Sequence, residues 1–553
     1  MKNKLNKALP LFIAGAVIGI IVFVFIYGID VLNVSYDGWL EQGGDLNQHY
    51  YGWKFYRKSP LTFPIGLVEG LAPEKVSIIY TDSIPLFALI FKLLSPLLPE
   101  TFQYFGIWGI MCYMLQGGLA ALIIRKFTDN PVICWISSVF FVVSPVVIQR
   151  MYGHTSLAGN WIILLAFLLW IYKDKLNNVK TIIAWCVLAA LAVMVHMYYI
   201  PITFLILLAC VINKGIESKK TIKISAITFL SAALCGVLTL FILGGFYGHG
   251  SIGEGGLGIY SSNLTTFFNP VTDDFSKYLS PFLTMSSDQG EGFAYLGFGM
   301  LLMGFLALVF VIQHIVDAGI SKSFEWIKSR KAAVISFTFL LIGAFAYSLS
   351  PIITCGNKVI LHINFPKLIW NAMSVFRATG RFSWISMYLL YILFIFVIIR
   401  KNKKKAAIII LGLCMCVQLS DFSNIFKFKN SYFTTHMESK QNLKDEAWEE
   451  LANGKEHIVF LPLPENYLVY ADMYYSFANY ASNHDMTMSS FYIARASYDF
   501  LYYYADEQLK LVEDGTPEKN TIYVFMDPTY TVPDNDALEI YELDGYTVGI
   551  AAE

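Results

Sequence analysis

Hydrophobic residues dominate this chain in long, nearly unbroken runs rather than at helical or strand spacing. Apolar runs long enough to cross a bilayer fall near 10–29, 102–124, 132–149, 157–172, 181–197, 199–212, 222–246, 293–315, 332–349, 384–399 and 406–420. Each reads as a membrane-spanning helix, because a run of about 20 apolar residues matches the hydrocarbon thickness. A twelfth run, 83–98, is shorter, contains Lys92 and is bracketed by Pro85, Pro96 and Pro99. The first run follows Lys2, Lys4 and Lys7 and ends without a small-residue cleavage site, so it reads as an uncleaved first span.

Positive charge decides how the runs are threaded. If 83–98 does not cross, five short loops on one side hold 17 cations, from Arg125 and Lys126 to the Arg400–Lys405 cluster. The loops opposite, after the second span, hold only Arg150, Lys277, Lys358, Lys367, Arg377 and Arg381. By the positive-inside rule this predicts eleven spans, a cytoplasmic N-terminus and an extracytoplasmic C-terminus. Segment 83–98 then reads as a helix lying on, or dipping into, the outer membrane surface, within an outer loop at 30–101.

Composition agrees. Of 553 residues, 56% are hydrophobic and only 15% charged, with a mean hydropathy of +0.53, well outside the range of soluble domains. The net charge of −1 hides two opposite parts. Residues 1–420 carry 32 Lys and Arg against 18 acids, whereas 421–553 carry 8 against 23. The expected organisation is therefore a helical membrane module over 1–420 and a small soluble α/β domain outside the membrane over 421–553. Strand-like runs at 458–463, 521–526 and 546–551, and helical stretches around 441–451 and 495–511, support the second part.

Seven of the eight cysteines lie inside apolar runs, and no Cys/His set has zinc spacing. Gly248-His249-Gly250-Ser251-Ile252-Gly253 matches a dinucleotide fingerprint but follows a membrane helix, so it reads as a flexible loop with Glu254. Nucleic acid is not an expected partner.

Polar residues gather on the predicted outer side. The first outer loop holds Asp37, Trp39, Glu41, Asp45, His49, Tyr51 and Trp53. Partial desolvation of a carboxylate there would suit it to base catalysis. Gly43 and Gly44 before Asp45 permit a tight turn. Asp82 reads either as a helix N-terminal acid or as a second carboxylate facing the same cavity. Arg150 and His154 close the third span. Arg377 and Arg381, four residues apart, would share one helix face and together grip a phosphate. His196 ends the fifth span and reads as a hydrogen-bonded structural histidine.

This layout resembles the GT-C glycosyltransferases. The resemblance rests on a single N-terminal span, a large acidic first outer loop and an outer C-terminal domain. It is carried by Gly43-Gly44-Asp45-Leu46-Asn47-Gln48-His49-Tyr50, Tyr80-Thr81-Asp82-Ser83-Ile84-Pro85, Phe102-Gln103-Tyr104-Phe105-Gly106, Gly153-His154-Thr155-Ser156-Leu157 and Phe376-Arg377-Ala378-Thr379-Gly380-Arg381-Phe382. Together these look like a poorly characterised bacterial group of GT-C-like membrane proteins, over about 30–420. The resemblance implies a multi-pass cell-membrane enzyme. It would move a sugar from a polyprenyl-phosphate-linked donor to an extracytoplasmic glycan or lipid acceptor.

In that reading Asp45 is the base, with Asp82 or His49 orienting the acceptor. Arg377, Arg381, Arg150 and His154 serve the donor phosphate, and Trp39, Trp53, Tyr51 and Glu41 meet sugar or acceptor. Acids at 37, 41 and 45 depart from the paired acids of many GT-C members, which leaves open the choice of base and any divalent metal; no cofactor is expected. Alternatives are a ligase or polymerase of the O-antigen type and a polytopic lipid or polysaccharide transporter. The polar residues lie at one face rather than at the bilayer midplane, which favours an enzyme over a transporter.

Overall fold

The computed structural model describes residues 2–247, 255–272, 274–440, 442–465, 467–494, 497–526, 530, 532 and 536–552. The Gly248–Gly253 motif and Glu254 lie outside them. The chain is mostly helical, with a small mixed sheet near its C-terminus. Among the described residues eight helices are long and apolar enough to cross a membrane. They are Ala8–Tyr27, Phe105–Ile124, Asn178–Val195, Tyr199–Glu217, Lys219–Ile242, Phe298–Ala318, Lys331–Ser348 and Thr379–Lys401. A ninth arises if Lys404–Asp421 and Ser423–Thr434, bent by 52°, form one span.

The expected spans at 132–149 and 157–172 are shorter helices. The first breaks at Val143 and Ser144 ahead of Pro145, whose ring cannot continue the helical ladder, giving Pro131–Val142 and Pro145–Arg150. The second is Trp161–Ile171. Among the described residues these two apolar helices lack the length of a straight span. Within 83–98 the helix is Pro85–Leu93, with Pro85 at its first position. At about 1.5 Å per residue its nine residues reach roughly 14 Å, too short to span.

Small residues let the first helix lie against Phe105–Ile124. A Cβ added to Gly15 would collide with the Gly117 carbonyl, and one on Gly117 with the Gly15 carbonyl. Such close backbone approach replaces the hydrophobic driving force that is missing between helices in lipid.

The C-terminal sheet has five strands, ordered Thr487–Met488, His457–Leu461, Thr521–Phe525, Tyr546–Ala551 and Leu538–Leu543. The first three run parallel and the last two pair antiparallel. The central strands His457–Leu461 and Thr521–Phe525 are almost wholly buried, as their continuous apolar runs require. Helices Ala471–Asn483 and Tyr498–Glu513 accompany the sheet. The expected strands are present within two residues at each end, whereas the helical stretch expected at 441–451 is only Ala447–Leu451.

This sheet domain is stitched to the segment after the first helix. The Gln42 amide donates to the Glu438 carbonyl at 2.9 Å, and Met437 N–H donates to the Tyr36 hydroxyl at 2.7 Å. Met488 N–H donates to the Gly70 carbonyl at 2.8 Å and Ala494 N–H to the Tyr80 carbonyl at 3.1 Å. The Gln48 amide donates to the Tyr492 carbonyl at 2.9 Å. These last contacts carry 488–494 across to the loop that holds Asp82.

Candidate functional site

Five separate segments bring charged groups together at one end of the bundle. Asp45 opens helix Asp45–Lys58, whose N-terminus favours an acid. The turn before it needs glycine: Gly43 has φ 110° and Gly44 has φ 67°. Asp82 sits in a left-handed conformation, φ 52°, between a 3₁₀ turn and helix Pro85–Leu93. Its loop packs on helix Asp45–Lys58 at Gly52, where a side chain would strike Thr81 and Ser83. The Ser83 hydroxyl donates to the His49 carbonyl at 2.7 Å, fixing that contact.

The third and fourth segments meet through glycines. A Cβ on Gly380 would lie 2.6 Å from Gly292 Cα, and the Ser262 hydroxyl donates to the Gly380 carbonyl at 3.1 Å. That approach makes Glu291, before Gly292, a neighbour of Arg381, after Gly380. Arg381 Nε donates to Glu291 Oε2 at 2.7 Å. The fifth segment brings Arg150, whose Nη1 donates to Glu291 Oε1 at 3.1 Å and Nη2 to the Gly290 carbonyl at 3.1 Å. His154 follows. Its Nδ1 is 2.7 Å from Asp45 Oδ2 and its Nε2 is 3.3 Å from Glu291 Oε1.

The result is a chain of alternating charge, Asp45–His154–Glu291–Arg381 and Arg150. Burial opposes charge on His154, yet the hydrogen bonds to Asp45 and Glu291 outweigh it and raise its pKa. Both ring nitrogens facing carboxylates is the arrangement of an imidazolium. Burial alone would raise Asp45, but the His154 partner holds it below its ordinary value. Burial would likewise raise Glu291, but the two guanidiniums and His154 hold it well below.

Asp82 behaves differently. Burial, only partly offset by His154 and Arg381, raises its pKa to about 6. Its side chain is a quarter exposed. His196 Nε2 lies 3.4 Å from Asp82 Oδ1, while Tyr198 N–H donates to His196 Nδ1 at 3.1 Å. Nδ1 is therefore the acceptor, and the neutral ring carries its proton on Nε2, towards Asp82. Burial keeps His196 well below its ordinary pKa, hence neutral. Arg381 also stacks on Tyr198, with its guanidinium carbon 4.1 Å from the ring centre.

Several expected site residues stand elsewhere. Arg377 and Arg381 do not share a helix face. Helix Lys367–Ser374 ends first, and Arg381 belongs to the separate turn Thr379–Phe382. Arg377 is exposed, lies over Tyr260 and donates to the Gly255 carbonyl at 3.1 Å. Trp39, Trp53 and Tyr51 are buried at 1%, 0% and 2% exposure, which removes them as an open platform for sugar. Trp39 packs on Tyr152 and Phe433, Trp53 on Phe102 and Tyr104, and Tyr51 on Tyr475.

Glu41 is also buried, accepting from Tyr51 at 2.9 Å and from Ser439. Burial raises its pKa to about 7. His49 is fully buried, neither ring nitrogen has a partner among the described residues, and burial lowers its pKa to about 3. It is a neutral ring beneath the site rather than a group that meets an acceptor directly.

The central acid, Glu291, was not singled out in the sequence. Its signal is an acid between glycines, Gly290-Glu291-Gly292, in a loop on the predicted outer side just before a span. Among the described residues no three or more His, Cys, Asp or Glu side chains converge as a metal site would need.

Fold and site together define a polytopic helical membrane protein that carries a buried acid–histidine–arginine cluster beside a small α/β domain. The chain belongs to the family described as domain of unknown function DUF6311, whose model matches residues 16–423. The model described as the DUF6311 C-terminal domain matches 447–551. No curated protein matches the chain.

Among solved structures it is similar to the oligosaccharyltransferase AglB of Archaeoglobus fulgidus in complex with an inhibitory peptide and a dolichol-phosphate. That match has 9% identity and a TM-score of 0.47, and covers 94% of this chain and 69% of that one. The apo form of the Archaeoglobus fulgidus oligosaccharyltransferase matches at 11% identity and a TM-score of 0.49, with the same coverage. Likeness at this level says nothing about activity.

Proposed function

We propose that the protein is a membrane glycosyltransferase that moves a sugar from a polyprenyl-phosphate-linked donor to an extracytoplasmic glycan or lipid acceptor. The observation that carries this reading is that two buried arginines, joined through Glu291, share one site with the carboxylates Asp45, bonded to His154, and Asp82, beside His196.

The acceptor hydroxyl oxygen forms a bond to the anomeric carbon as the bond from that carbon to the phosphate oxygen breaks. The hydroxyl proton passes to Asp82. The electron pair of the broken bond stays on the lipid phosphate, which gains a negative charge. A base with pKa near 6 is well matched to this task at neutral pH. Asp45, held ionised by His154, is the weaker base and serves to orient the acceptor and fix His154. This reverses the order of the two acids that the resemblance implies.

Arg381 and Arg150 are positioned for the phosphate, with Arg377 at the exposed rim. Glu291 is the shared carboxylate partner of the two buried arginines and offsets part of their charge. A phosphate arriving at the cluster would share these donors, and charge-assisted bonds of this kind strengthen as charge grows on the leaving oxygen. His49 supports the first turn of helix Asp45–Lys58 from below.

The test is transfer by the purified protein in liposomes containing a polyprenyl-phosphate-linked sugar, read as released polyprenyl phosphate and glycosylated acceptor. Wild type should release the carrier, and Asp82→Asn and Arg381→Ala should not. Full turnover in Asp82→Asn would remove the base assignment. Vectorial movement of the intact donor without release would favour a transporter.

A further inference from the structure

Helix Ile320–Ser329 does not belong to the polar cluster and is not needed for it. It joins two candidate spans, Phe298–Ala318 and Lys331–Ser348. Ten residues reach only about 15 Å, so it cannot cross a bilayer. Because both neighbours span, it lies at the membrane boundary where one ends and the next begins.

Its sequence is two-faced. Ile320, Phe324 and Ile327 fall on one side at helical spacing. The protein leaves that side uncovered: Ile320 is 77% exposed, Phe324 65% and Ile327 44%. Lys322 and Lys328 stand off this face, and Arg330 and Lys331 follow at once. Among the described residues no acidic side chain pairs with any of the four. Only Asp317 and Glu325 oppose them locally. Trp326, 45% exposed, has the Arg330 guanidinium stacked 4.8 Å from its ring centre.

We infer that Ile320–Lys331 is an interfacial binding site for anionic phospholipid headgroups, with Ile320, Phe324 and Ile327 set among the acyl chains. Charge complementarity selects the ligand. Four cations with no acidic partner beside an exposed apolar face fit a headgroup phosphate bearing net negative charge, and Trp326 holds the depth that interfacial tryptophans prefer. A soluble protein partner would have to cover large apolar side chains flush with a bilayer. This inference does not rest on the glycosyltransferase reading.

The experiment is lipid binding by the full-length protein in detergent, measured by native mass spectrometry with phosphatidylglycerol and phosphatidylcholine. Wild type should bind phosphatidylglycerol preferentially. Each basic residue near an anionic surface contributes about fivefold in affinity, so K322Q/K328Q/R330Q should lose on the order of a hundredfold. The same substitutions should erase the rise in melting temperature that phosphatidylglycerol confers.

A control variant, K403Q/K404Q/K405Q, removes three cations from a different loop and should leave this binding largely intact. Phe324→Ser should weaken both lipids while the protein remains monodisperse, since the side chain is exposed and its loss opens no cavity. Equal affinity for the two lipids in wild type, unchanged binding in the triple variant, or equal loss in the control would overturn the proposal. So would a co-purifying protein lost in Phe324→Ser while phosphatidylglycerol binding persists.

Discussion

Replacing Asp82 by Asn should make the protein more stable at neutral pH while abolishing its activity. A carboxyl whose pKa rises from 3.8 to about 6 on folding prefers to be protonated in the folded state. Below pH 4 both states bind the proton and Asp82 costs nothing. As pH rises through 6 the folded state must give up a proton it holds more tightly than the unfolded chain does. At 1.36 kcal/mol per pH unit, the penalty above pH 7 is roughly 3 kcal/mol at most.

Asn removes that penalty and little else. It has the same shape, its amide oxygen can still accept from His196 Nε2, and it tolerates the left-handed backbone at φ 52° better than most residues. The assay is thermal unfolding in detergent for wild type and Asp82→Asn from pH 4 to 8. The difference in melting temperature should be near zero at pH 4, grow between pH 4 and 6 and level off above 7. A difference that does not vary with pH, or an Asn variant less stable at pH 7.5, would refute the reasoning. Stability gained by deleting a strained, desolvated acid is the usual mark of a group kept for function rather than for folding.

Glu291→Gln should act in the opposite sense. It leaves Arg150 and Arg381 buried without their countercharge, and the new amide N–H₂ faces donors. The expected loss is about 3–5 kcal/mol, visible as a lower melting temperature at neutral pH and tighter binding of inorganic phosphate to the freed guanidiniums. Unchanged stability would contradict the pairing. His154→Gln should let the pKa of Asp45 rise, because the His154 hydrogen bond and charge that now lower it are lost; an unshifted Asp45 titration by infrared difference spectroscopy would count against the bridge. In wild type the His154 contribution to stability should be present at low pH and fade as pH rises through its raised pKa. Arg381→Lys should keep the positive charge but lose the Nε contact to Glu291, weakening donor affinity while sparing expression; wild-type affinity would show that the guanidinium geometry is irrelevant.

The membrane half was largely legible because a bilayer demands length and apolarity, and both are written residue by residue. Where the count strayed, a local feature was responsible. Pro145 divides one run into two short helices, and a 52° bend separates Lys404–Asp421 from Ser423–Thr434. The candidate site was legible in a different way. Its acids and arginines stood out because charge beside a span is costly, so Asp45, Asp82, Arg150, His154 and Arg381 could be found singly. Their pairing could not. Residues 291 and 381 meet because Gly292 and Gly380 allow two backbones to touch, and Arg150 reaches the same Glu291 from a separate segment.

The aromatic residues failed for the same reason in reverse. Trp39 and Trp53 lie in a polar stretch that reads as an open loop. Trp53 is covered by Phe102 and Tyr104, and Trp39 by Tyr152 and by Phe433 from the segment ahead of the C-terminal domain, which continues over this stretch at Tyr36 and Gln42. The buried Glu41, raised to about 7 between Tyr51 and Ser439, sits in that seam. Its position means the domain is attached through an acid that must give up a favourable proton near neutral pH. The seam should therefore loosen as pH rises through 7, and Glu41→Gln should hold it closed. Limited proteolysis between 435 and 447 at pH 6 and pH 8.5 measures this directly. Cleavage that accelerates equally in wild type and Glu41→Gln would show that Glu41 does not govern the attachment.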